Sequence, residues 1–61
     1  MEHKIPIANW NVALAKAIKD AADGDTIVVN TMAKIELAMT AALRMFQENI
    51  IPEKKIFFRV G

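Results

Sequence analysis

Two helical patterns enclose a short, uniformly apolar strand, and that arrangement limits this chain more than any other feature. The strand is Asp23-Gly24-Asp25-Thr26-Ile27-Val28-Val29-Asn30, a glycine turn running into three consecutive β-branched residues. Ile27 and Val29 point to one side of an extended chain and Val28 to the other, so neither face is written as a wet one. A strand buried on both faces and flanked by helices belongs to βαβ units with a mostly parallel sheet. Such a sheet needs cover on both sides, and 61 residues supply little of it.

The flanking patterns are well marked. Asn9 is a favourable N-cap for a helix over 10–23, along which Trp10, Leu14, Ala17, Ile18 and Ala21 recur at helical spacing. Gly24 suits the left-handed position just past a helix end. Thr31 caps a second helix over 32–49. Its apolar arc holds Met32, Ile35, Met39, Ala42, Leu43, Phe46 and Ile50, widened by Ala38 and Met45. That arc spans roughly 160° at about 100° per residue, more than one core contact requires. Lys55–Val60 reads as the last strand, with Ile56, Phe58 and Val60 on one face and Phe57 and Arg59 on the other. Ile5-Pro6-Ile7 is a candidate first strand, placed at an edge because Pro6 has no N–H to donate.

The expected fold is therefore α/β: one domain over 1–61, a small βαβαβ unit with a three-stranded, mostly parallel sheet and two helices. Spatial order 1-2-3 would put both helices on one sheet face, whereas 2-1-3 would give each face one helix. Homo-oligomerisation completes the expectation, because a chain of this length buries only about 60% of its unfolded surface and folds marginally alone. The other usual supports are missing. With no cysteine and one histidine, neither disulfides nor a metal site of the usual kind is expected, and no cofactor is called for.

Residues Ala17–Val29 resemble the helix, Gly-Asp turn and buried strand that open right-handed parallel β-helix proteins of the pectate-lyase type. A second helical pattern follows where that family places coil repeats. Neither its solenoid nor its polysaccharide chemistry is expected here.

Chemistry-bearing patterns are sparse. There is no serine, cysteine or tyrosine, which removes most nucleophiles, so the chain is not expected to be an enzyme. His3 is isolated near the start, and Asp23 and Asp25 read as turn residues beside Gly24. The net charge of +1 provides no strong field for nucleic acid, and no apolar run approaches the ~20 residues of a membrane span. No secretory pattern opens the sequence, so a soluble cytoplasmic protein is expected. Lys54, Lys55 and Arg59 beside Phe57 and Phe58 suggest single-strand nucleic-acid binding only weakly. The leading expectation is a non-enzymatic structural or interaction module, homo-oligomeric and dimeric in the first instance, whose partner is itself or another protein. Trp10, Leu37, Met45 and Phe57 are its candidate interface residues. The alternative is a small-ligand or anion binder using Asn9, Asn30 and Thr31, which should gather at the carboxyl edge of the sheet, within one subunit or across a subunit boundary.

Overall fold

The computed structural model describes residues 1–61. Strand β1 (Glu2–Lys4), helix α1 (Trp10–Asp20), strand β2 (Asp25–Val29), helix α2 (Met32–Gln47) and strand β3 (Ile56–Val60) follow in that order. All strand pairs are parallel and the sheet order is β1-β2-β3, with Glu2 opposite Thr26 and Asp25 opposite Ile56. The α/β class, the βαβαβ order and the parallel sheet agree with the sequence reading.

Order 1-2-3 places both helices on one face, as right-handed crossovers require. One core cluster joins Leu14, Ala17 and Ile18 of α1 to Ala38, Ala42 and Met45 of α2, through Ile5, Ile27 and Val29. Ile18 and Ile27 are fully excluded from solvent. The opposite face carries Glu2, Lys4, Thr26, Val28, Phe57 and Arg59, and no helix covers it. Val28 is nonetheless buried. The guanidinium of Arg59 reaches across it to Glu2, donating to Oε2 at 2.6 Å. The Lys55 ammonium lies 5.3 Å from the centre of the Phe57 ring. Polar side chains thus form a lid where the sequence suggested that a partner was needed.

Several boundaries differ from expectation, each for a local reason. The first strand lies before Ile5-Pro6-Ile7, at Glu2–Lys4; the Ile5 N–H makes the final ladder bond, to the Val28 carbonyl at 3.0 Å. Ile7 is exposed. Helix α1 stops at Asp20, not at 23, because Ala21 is already extended. Lys54 secures that end, its Nζ donating to the carbonyls of Lys19 at 3.1 Å and Ala21 at 2.6 Å. Gly24 therefore serves the next turn. There Asp25 N–H closes onto the Ala22 carbonyl at 3.0 Å, and Gly24 takes the φ of +91° that a β-carbon would resist. Asn9 precedes α1 in a left-handed conformation, and its side chain makes no capping bond. Thr31 does cap α2, its hydroxyl accepting from Lys34 N–H at 3.3 Å.

Helix α2 ends at Gln47, not at 49, in a Schellman turn with Asn49 as its left-handed residue at φ 58°. Asn49 N–H donates to the Phe46 carbonyl at 3.1 Å, and Ile50 N–H to Met45 at 2.9 Å. Ile50 consequently leaves the helical arc and is exposed. The inward stripe is also rotated. Ala38, Ala42 and Met45 face the sheet, and the small alanines let the helix approach it closely. Met32, Met39 and Leu43 lie about a quarter-turn away and are exposed.

Candidate interaction surface

A sheet of three strands has two edges, and here they are built differently. The β1 edge is three residues long, carries Glu2 and Lys4, and is followed closely by Pro6. Shortness, charge and proline are the usual means of blunting an edge. The β3 edge has five residues, Ile-Phe-Phe-Arg-Val, with no proline and one charge. Gly61 N–H donates to the Val29 carbonyl at 2.9 Å, and the Lys55 carbonyl accepts from Gly24 N–H at 2.7 Å. By alternation, residues 55, 57, 59 and 61 turn their backbone groups toward β2. The N–H and C=O of Ile56, Phe58 and Val60 point outward, away from the sheet.

The side chains of these same three residues lie on the helix side. Alongside them runs the lateral flank of α2, so Met39, Leu43, Phe46, Ile56 and Phe58 line one open groove of about 470 Å³. Glu36 and Glu53 stand at its rim. Met39 and Leu43 are each 53% exposed and Val60 is 38% exposed. Free backbone donors and acceptors thus adjoin an apolar surface along one side of the molecule.

Three of the four interface candidates singled out from sequence line one groove. Met45 is buried among core side chains and also lines the groove between the two helices. Trp10 is half-buried, with the Lys34 ammonium 5.2 Å from its ring centre and its indole N–H enclosed without a hydrogen-bond acceptor. Leu37 is exposed on the α1 side of α2, where it lines a groove of about 630 Å³ with Trp10, Leu14 and Ala41. Phe57 lies on the uncovered sheet face, under Lys55. Trp10, Leu37 and Met45 therefore share one groove, and Phe57 lies apart from them. Asn9, Asn30 and Thr31 are all exposed, and the Thr31 hydroxyl is engaged in its cap. The basic group is similarly occupied. Lys54 binds the end of α1, Lys55 covers Phe57 and Arg59 pairs with Glu2.

One cluster was not legible as such. Asp25 is buried beneath the lower end of the sheet, where its carboxylate collects three contacts. His3 Nε2 lies 2.9 Å from Oδ2, Ala22 N–H donates to Oδ2 at 2.9 Å, and the Met1 ammonium reaches Oδ1 at 3.0 Å. An ionised carboxylate only accepts, so the ring carries its proton on Nε2. His3 is thus anchored, not isolated, and Asp25 does more than shape its turn; Asp23 holds the other side, accepting from Lys55 N–H at 2.6 Å. The bond from His3, then those from Ala22 and the terminal amine, hold the Asp25 carboxyl far below its usual range. Depression of a folded-state carboxyl stabilises the fold above the ordinary value near pH 4, and that stability drains away as pH falls further. Urea midpoints measured downward from pH 7 should therefore fall below about pH 4. Asp25→Asn should start lower at neutral pH and show a shallower acid decline. No third metal-ligating side chain joins His3 and Asp25.

Comparison with known proteins adds no relative: no protein-family model, curated protein or solved structure matches the chain.

Proposed function

We propose that this chain is a non-enzymatic assembly module, and that its activity is self-association through the β3 edge and the adjoining flank of α2. The observation that carries this reading is the contrast between the two sheet edges. One is short and charged; the other presents unpaired backbone beside exposed Met39 and Leu43. Monomeric proteins that must stay apart blunt such edges. The uncovered sheet face contributes little to this surface, since its polar lid already closes Val28.

The interface that this reading requires is a large one for so small a chain. A specific interface buries about 800 Å² per partner, about one fifth of the 4167 Å² that this chain exposes. Removing that much surface offsets the marginal burial of a small domain. Absolute molar mass by light scattering, followed over a wide dilution range, tests the proposal. A multiple of 6.8 kDa that persists on dilution is expected. A folded species of 6.8 kDa at every concentration would remove it.

A further inference from the structure

Resting on that reading, we infer that the assembly is a closed two-fold dimer in which β3 pairs antiparallel with β3 of a second copy, centred on Phe58. The outward groups of Ile56, Phe58 and Val60 are spaced alternately along the strand, which makes the edge its own complement. With the axis at Phe58, that residue exchanges both backbone bonds with its counterpart, and Ile56 exchanges both with Val60 of the other copy. Every outward N–H and C=O of β3 then has a partner, and two three-stranded sheets become one of six.

The helices fit the same register. Helix α2 packs on both β2 and β3, so a copy added across β3 sets its own α2 about two strand spacings away, ~10 Å. Helices pack side by side at about 8–10 Å. Met39, Leu43 and Phe46 would fill that seam. On the other face Phe57 comes opposite Arg59 of the second copy, and Lys55 opposite Gly61, so no like charges oppose each other. The only edges left in the dimer are the two β1 strands, which are short and charged. Growth therefore stops at two copies.

Engineered cysteines test the register, and the chain has no native cysteine to confuse the result. Residues 57 and 59 of opposite copies become a non-hydrogen-bonded pair with Cα atoms about 4.5 Å apart, within the range a disulfide spans. The variant carrying Phe57→Cys and Arg59→Cys should form a covalent dimer under mild oxidation, whereas Phe57→Cys alone should not. Val60→Pro adds a second measurement. Its N–H has no partner within the chain, so the fold should keep its circular dichroism while the mass falls from twice 6.8 kDa to 6.8 kDa. A native mass of two copies without selective cross-linking, or a dimeric Val60→Pro, would overturn the pairing and leave self-association standing. A monomeric unmodified chain would overturn both.

Discussion

Replacing Ile27 with alanine should bring this protein to the edge of unfolding. Ile27 is the centre of the middle strand, fully buried, and packed in the cluster that joins both helices to the sheet. Deleting most of a core isoleucine costs about 2–5 kcal/mol, the upper end applying where neighbours cannot close the gap. Collapse is restricted here, because the strand is held on both sides by β1 and β3. A domain of 61 residues has a total stability of about 3–9 kcal/mol, at roughly 0.05–0.15 kcal/mol per residue. The variant should therefore lose half its stability or more. Chemical denaturation followed by circular dichroism reads this directly, and a shift below about 1 kcal/mol would mean that the core is not organised around β2.

The second large effect is expected at Leu43, and it should leave the fold intact. Its side chain is 53% exposed on the flank of α2, outside the core stripe of Ala38, Ala42 and Met45. Leu43→Asp therefore costs the monomer little. In a two-fold interface the same change occurs twice. Burying the exposed half of a leucine contributes about 0.8–1.5 kcal/mol, so losing two should raise the dissociation constant by about 10–10²-fold. Phe46→Asp would be a poorer probe, since Phe46 also packs partly against the core and would unfold the chain as well as dissociate it. Sedimentation or light scattering should find Leu43→Asp monomeric and helical. Unchanged association would exclude the α2 flank from the interface. Because binding and folding are linked, the unmodified protein should also denature at a midpoint that rises with its concentration, and Leu43→Asp should not.

The parts of this architecture that the sequence announces are those where a local pattern and a tertiary demand coincide. β2 is legible because Ile27, Val28 and Val29 are β-branched and all buried. α2 begins where Thr31 says it should, since a cap is a contact between residues three apart. β1 is hidden because its inward residue is His3, whose burial depends on Asp25, 22 positions away. The early end of α1 has a similar cause, for the lysine that binds its last carbonyls comes from beyond the second helix. Met39 and Leu43 belong by spacing to the same apolar arc as Ala42. Only the position of the sheet reveals that alanines face inward and larger side chains look sideways. The contrast between the two edges was equally out of reach, because it requires the strand order.

That strand order also governs how the molecule comes into being. No two neighbouring strands are adjacent in the chain: Glu2 meets Thr26, 24 residues on, and Asp25 meets Ile56, 31 residues on. Each pairing must wait for a loop of helical length to close, and an entropic cost precedes every sheet contact. For its size the chain should fold slowly, in milliseconds where helical bundles of equal length need microseconds. During that interval β2 has open edges on both sides and its Ile-Val-Val run in water. Rapid formation of α1 and α2 then acts as protection, keeping the three strand segments of one chain near each other before they can meet those of another.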